Sequence, residues 1–342
     1  MEQSAQAIER FIQTFNNLHE EISKVIVGQK EVVEEVLVAL FADGHVLLEG
    51  LPGLGKTLLV KSLGDALGLK FRRIQFTPDL MPADVVGTNL VIDTPQGKKF
   101  EFNPGPIFTN IILADEINRA TPKTQSAFLE AMQERQVTVA GKTYKLDPPF
   151  FVLATQNPIE QEGTYNLPEA QIDRFLFKLL LYYVNFEDEK EIIRRTTGKE
   201  AYRIRKVISD ENPGQLVESM KSLVREVLVS SEVEEYIVRL VFATRPAQFH
   251  KKSNSKPYAI PEATNKFISC GAGTRGCQSL ALSGKVFALL DGRPNVSFDD
   301  VDRALYASLR HRLILNFEAE VEGKSPDEIL EEIKREVKRF KK

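Results

Sequence analysis

The chain runs to 342 residues, 42% of them hydrophobic and 27% charged, an ordinary globular composition with length enough for two or three domains. A formal net charge of −3 supplies no overall basic field that would draw the protein to nucleic acid or an anionic membrane, although it leaves room for a local basic groove. Two cysteines, Cys270 and Cys277, are too few for a disulfide framework and lack zinc-ligand spacing. The four histidines, His19, His45, His250 and His311, are scattered and read as surface or packing residues rather than ligands or bases. Residues 1–24 are polar and helix-periodic, unlike a signal peptide, and the longest apolar run, 175–184, is broken by Lys178 and too short to span a bilayer. A soluble cytoplasmic protein with free thiols is therefore expected.

Ile8, Phe11, Ile12, Phe15, Leu18 and Ile22 fall on one face of a helix over 5–24. Val25-Ile26-Val27-Gly28-Gln29 follows, then a helix through Leu40. Gly28, between an apolar run and a helix, could let backbone approach a purine ring, although spacing alone does not single it out. Val46-Leu47-Leu48-Glu49 is a short apolar run of strand length. It leads into Gly50-Leu51-Pro52-Gly53-Leu54-Gly55-Lys56-Thr57, which fits G-x-x-x-x-G-K-[ST] without a mismatch. Leu58, Leu59, Leu63 and Leu67 then recur at helical spacing, so the motif joins a strand to a helix. Glycines there let successive N–H groups turn toward an anion, and the helix start adds its positive dipole end. Lys56 would reach β- and γ-phosphates, and the Thr57 hydroxyl would ligate Mg²⁺. An ordinary glycine-rich turn is the plainer alternative, which strand, motif and helix together disfavour.

Residues 71–76 read as a second strand. Residues 77–108 are rich in Pro and Gly, with 89–92 and 98–102 flanking the turn-rich Asp93-Thr94-Pro95-Gln96-Gly97. That hairpin is either a functional insertion or a surface decoration. Asn110-Ile111-Ile112-Leu113-Ala114-Asp115-Glu116 is a buried strand ending in two acids, about sixty residues beyond the glycine motif. Asp115 could share the Mg²⁺ with Thr57, and Glu116 could polarise a water for attack on a γ-phosphate. A helix over 124–135 and a second hairpin over 137–146, turning at Gly141-Lys142, come next. The strand 150–155 ends at Gln156-Asn157-Pro158, where Asn157 either meets the γ-phosphate or caps a turn. A Pro-initiated helix over 167–175 leads to a strand over 177–184. Arg174 either serves a neighbouring copy's phosphate or joins a surface ion pair.

From about residue 186 the strand signal gives way to helix-like segments over 188–196, 215–228, 231–243, 279–290, 298–310 and 326–340, with Ser297 and Ser325 as helix starts. Lys251 to Pro257 reads as a polar loop. Arg275, near a helix start after Gly271-Ala272-Gly273-Thr274, could face a phosphate.

This order of motifs resembles an AAA+ ATPase. Ala114-Asp115-Glu116-Ile117-Asn118-Arg119-Ala120-Thr121-Pro122-Lys123-Thr124-Gln125 is similar to the signature of the MoxR family, as are Glu130-Ala131-Met132-Gln133-Glu134-Arg135-Gln136-Val137-Thr138, Ala154-Thr155-Gln156-Asn157-Pro158 and Glu169-Ala170-Gln171-Ile172-Asp173-Arg174-Phe175. The resemblance implies an α/β fold: a P-loop AAA+ αβα core on a parallel sheet over 1–186, with a helix-2 insert at 77–108 and a β-hairpin at 137–146, then an all-α lid domain over 187–342. It implies that ATP is held by Gly50, Pro52, Gly53, Leu54, Gly55, Lys56, Thr57 and Leu58, with Val27 and Gly28 on the adenine side and Mg²⁺ on Thr57 and Asp115. Asn157 would be sensor 1, Arg174 an arginine finger acting in trans, and Arg275 sensor 2. The family usually reads Gly-Ala-Ser-Pro-Arg at sensor 2; here Gly273 and Thr274 replace Ser and Pro, and Gly276 follows Arg275, which should loosen that helix start.

Family members are ring-forming, usually hexameric, and chaperone-like, often paired with von Willebrand factor A domain proteins. The expected function is thus ATP hydrolysis in a homo-oligomer that remodels, assembles or matures a client protein, without nucleic acid or an integral membrane segment. A chelatase-like subunit or a nucleic-acid motor is the alternative, with Lys98, Lys99, Lys142 and Lys145 on the hairpins as its support. A nucleotide-gated switch without turnover would not need Glu116.

Overall fold

A computed structural model of the chain describes residues 2–95, 97–157, 164–198, 202–208, 210–249 and 260–339. Gln96, Pro158, His250 and the polar loop from Lys251 to Pro257 lie outside the described residues. Among the described residues, no helix is long and apolar enough to cross a membrane.

The contacts divide the chain into two compact units, one of Gln13–Gln171 with Leu179–Met220 and one of Met1–Ile12, Ile172–Lys178 and Lys221–Lys342. The first is built on a five-stranded sheet. Helices α1 (Glu2–Ser23) and α2 (Lys30–Phe41) lead into β1 (Val46–Gly50), α3 (Lys56–Leu67) and β2 (Phe71–Gln75). The insert follows as α4 (Pro82–Val86), β3 (Gly87–Thr94) and β4 (Gly97–Pro104). Then come β5 (Ile111–Asp115), α5 (Pro122–Glu134), the hairpin β6 (Gln136–Val139) and β7 (Lys142–Lys145), β8 (Phe151–Gln156), α6 (Glu169–Ile172), β9 (Phe177–Leu181) and α7 (Phe186–Thr197).

Strand order is β2-β5-β8-β1-β9, and the pairs β2–β5, β5–β8 and β1–β8 are all parallel. Every residue of β5 is buried, as is all of β8 except its last residue, Gln156. This explains their unbroken apolar runs: strands covered on both faces lose the polar alternation of a half-exposed sheet. Helix α1 adds Phe15 and Leu18 to the core, and Phe15 lies with its ring centroid 6.0 Å from that of Phe41 on α2.

The strands' parallel register fixes where the site lies. Ala114 pairs with Ala154 and Glu49 with Gln156, so the carboxyl ends of β5, β8 and β1 stand side by side. Ligands in open parallel sheets bind in the crevice beyond those ends.

The second unit is mainly helical: the C-terminal part of α8 (Pro213–Glu226), then α9 (Ser231–Ala243), α10 (Glu262–Phe267), β10 (Ile268–Cys270), α11 (Thr274–Leu290), α12 (Phe298–Leu309), β11 (Ile314–Leu315), α13 (Phe317–Val321) and α14 (Pro326–Arg339). Ser297 caps α12 in a box with Asp300, whose carboxylate accepts the Ser297 N–H at 2.7 Å. The short antiparallel ladder β10–β11 lies in a stretch expected to be all helix. Three residues and two are too few to leave a periodic signal.

Candidate functional site

The glycine motif folds as an arch between β1 and α3. Gly53 and Gly55 have φ of +85° and +78°, left-handed values that disfavour any side chain. A Cβ on either would meet nothing within 4 Å, so there is open space beside both glycines. Lys56 begins α3 and bends back across the arch, donating from Nζ to the Gly50 carbonyl at 2.7 Å. Thr57 and Leu58 follow in the first turn, both exposed. Open backbone, a helix N-terminus, an ammonium and an accessible hydroxyl together fit the phosphates of a nucleotide and a hard divalent cation.

The acids stand at the end of β5. Asp115 is 7% exposed. Its Oδ1 accepts the Thr155 hydroxyl at 2.6 Å, and its Oδ2 accepts Arg73 Nε at 2.9 Å and Nη2 at 2.6 Å. Glu116 has φ 55° and ψ 49°, a left-handed conformation in a residue with a side chain. Its N–H donates to the Thr155 hydroxyl at 2.8 Å, so one buried hydroxyl serves both acids. Glu116 Oε2 accepts from Gln75 Nε2 at 2.7 Å and from Arg119 Nη1 at 2.9 Å. Asn157, 7% exposed, lies just past the end of β8, the strand between β5 and β1. The structure thus brings Gly50, Lys56, Thr57, Asp115, Glu116 and Asn157 to one edge of one sheet. Thr155, Arg73, Gln75 and Arg119 went unread in the sequence. Three of them lie on neighbouring strands or turns whose adjacency no local pattern states; the fourth, Arg119, is only three residues from Glu116.

Beside the arch lies a cavity of ≈ 470 Å³, lined by Val25, Ile26, Val27, Leu54, Leu58 and Tyr183 among others. Its polar fringe includes Gln29, whose Nε2 donates to the Leu54 carbonyl at 3.4 Å, and Arg195, which donates to the Lys24 carbonyl. An apolar slot of that size beside a phosphate cradle suits a flat heterocycle. Gly28, with φ +76°, is also closely packed within the chain: a Cβ there would lie 2.7 Å from Val184 Cγ1 and 2.8 Å from Asp188 Oδ2. Its glycine lets the turn after α1 pack on the segment leading into α7. Ile192, Ile193 and Thr196 of α7 also line the cavity, a contribution that the helix's surface-like sequence did not suggest.

Arg174 and Arg275 belong to the helical unit. Arg174 is half-buried, directly after Asp173. The Asp173 carboxylate accepts from Arg275 Nη1 at 3.2 Å and from Arg312 Nε at 2.9 Å. Arg312 also donates to the carbonyls of Asp173 at 3.2 Å, Leu176 at 3.2 Å and Phe175 at 2.7 Å, fixing the backbone around Arg174. Arg275 lies in the first turn of α11, which starts regularly at Thr274. Gly276 is buried, and a Cβ on it would come within 2.9 Å of Leu309 Cδ2. Close helix packing accounts for the glycine.

Among the described residues no group of three or more His, Cys, Asp or Glu could hold a metal ion by itself. Any cation at Asp115 would need phosphate and hydroxyl oxygens as well.

Comparison with known proteins agrees with this geometry. Residues 45–177 match the ATPase family associated with various cellular activities (AAA), and residues 261–333 match the AAA lid domain. YeaC of Bacillus subtilis is 42% identical over 320 residues, covering 93% of this chain and 92% of that protein. Chaperone MoxR1 of Mycobacterium tuberculosis is 41% identical over 314 residues, covering 92% of this chain and 79% of that protein. A crystal structure described as that of a candidate ATPase from Cytophaga hutchinsonii superposes with a TM-score of 0.85 at 42% identity, covering 98% of this chain and 97% of the other.

Proposed function

This chain belongs to the MoxR family of AAA+ ATPases, and we propose that it hydrolyses ATP in a homo-oligomeric ring, a hexamer, to remodel or mature a client protein. The observation that carries this reading is the alignment of the open arch with Glu116 at the ends of adjacent parallel strands. An ATP-gated switch would need the arch alone.

The roles proposed rest on the layout of the sheet edge and, for Asn157, Arg174 and Arg275, on the family resemblance. The arch N–H groups and Lys56 cradle the phosphates, and the cavity along Val27, Leu54 and Leu58 takes the adenine. Thr57 and Asp115 would hold Mg²⁺, which would supply charge neutralisation at the phosphates. Glu116 accepts a proton from the attacking water, and Asn157 orients that water or the γ-phosphate. Arg174 acts on a neighbouring copy's site, and Arg275 reports the nucleotide state to the lid. The functional division proposed is a core over 1–186 and a lid over 187–342; compactness follows another line, grouping 179–220 with the sheet.

The two hairpins are the proposed client-contacting elements. Phe100, Leu90 and Val91 on the first are exposed apolar side chains that the fold itself does not use. A von Willebrand factor A domain protein is the partner proposed from the family resemblance, and the cytoplasm is the proposed location. Lys98, Lys99, Lys142 and Lys145 are all exposed on the hairpins, which favours a nucleic-acid motor as the second reading. That reading requires ATPase stimulation by nucleic acid that falls steeply with salt, and none is expected.

The test is Glu116→Gln. It should bind ATP as the parent does and lose phosphate release by about 10²-fold or more. Undiminished release would overturn the assignment.

A further inference from the structure

We propose that Arg73 is a built-in counter-ion of the metal site: a positioning residue that weakens cation binding at Asp115. The inference rests on the reading of Asp115 as the carboxylate that shares Mg²⁺ with Thr57.

Arg73 lies on β2, two residues before Gln75, which is the register partner of Asp115. Both of its contacts, from Nε at 2.9 Å and Nη2 at 2.6 Å, reach the same oxygen, Oδ2. The Asp115 side chain is only 10% exposed, whereas that of Arg73 is 48% exposed. A carboxylate this far out of water needs a compensating charge, and the guanidinium supplies it from a place where it can swing into solvent. With Thr155 on Oδ1, three of the roughly four lone-pair positions are occupied. A divalent cation must therefore either share the carboxylate with a positive neighbour or displace it, and both weaken its binding.

The same guanidinium reaches the second acid. Arg73 Nη2 also donates to Gln75 Oε1, which leaves the Gln75 amide nitrogen aimed at Glu116 Oε2, 2.7 Å away.

The experiment measures Mn²⁺ binding to the full chain with ADP present, by the electron paramagnetic resonance signal of free Mn²⁺ at low ionic strength. Arg73→Gln and Arg73→Met, two neutral variants in case one folds poorly, should bind Mn²⁺ about tenfold more tightly than the parent. Arg73→Lys, which keeps the charge, should stay within about threefold. Asp115→Asn should bind about tenfold or more weakly. If Asp115→Asn loses the metal while the neutral Arg73 variants bind it equally or more weakly than the parent, the counter-ion role is overturned and the site reading stands. If Asp115→Asn binds as the parent does, the site reading fails and the inference fails with it.

Discussion

Glu116 shows how a single residue is held for its proposed task. The left-handed backbone of a non-glycine residue costs about 1–3 kcal/mol, and surrounding structure must over-determine it. Here the Thr155 hydroxyl takes the Glu116 N–H while giving its own proton to Asp115. Four apolar residues followed by Asp-Glu made the acids legible in the sequence. Thr155 was readable only as the last residue of a buried strand, because its partners stand on another one.

His311 illustrates the opposite case, a titratable group used for packing. Burial, together with the nearby Arg312, pushes its pKa well below the ordinary 6.5, against the pull of the Phe175 carbonyl that its Nε2 meets at 3.1 Å. The unfolded chain therefore takes up a proton near pH 6.5 that the folded chain resists. The stability His311 contributes is complete above that pH and is lost as pH falls, by at most about 1.4 kcal/mol per pH unit. His311→Gln should flatten the dependence of denaturation midpoint on pH between about 7 and 5. Parallel curves for parent and variant would show that His311 is not the group responsible.

At the scale of elements, the glycine arch and both hairpins were legible because each has a local signature: a fixed glycine spacing or a turn pair between alternating runs. Elements whose ends are set by distant partners were not. A helix expected over 167–175 is only Glu169–Ile172, since the carbonyls beyond it are taken by Arg312, His311 and Ser279 rather than by a next helical turn. The strand expected to reach Val184 stops at Leu181, and Val184 packs instead against the turn at Gly28. The two hairpins, separate in sequence, share a clasp: Phe102 of β4 stacks on Tyr144 of β7 with centroids 3.9 Å apart and planes 18° from parallel. Tyr144→Ala should remove about 0.5–1.5 kcal/mol of local stability and speed amide exchange across Gly97–Pro104, with ADP binding unchanged. Unaltered exchange in β4 would mean that the hairpins are held independently.

At the scale of the whole molecule, the proposed reading has the polar groups at one sheet edge act as an ATPase site only when another copy completes it. The proposed nucleotide cradle, Glu116 and Asn157 all belong to the sheet unit, and the proposed finger Arg174 belongs to the helical unit, its backbone fixed by the buried Arg312. The central claim is that hydrolysis at this arch is completed in trans. Its most direct measurement is phosphate release from mixed variants. Arg174→Ala alone should lose about 10³-fold or more of turnover, and Lys56→Ala alone should be inactive. Mixed in equal amounts and shown to co-assemble, the two should recover measurable activity, because some interfaces then pair an intact cradle with an intact finger. Co-assembled mixtures that release no more phosphate than either variant alone would contradict the account.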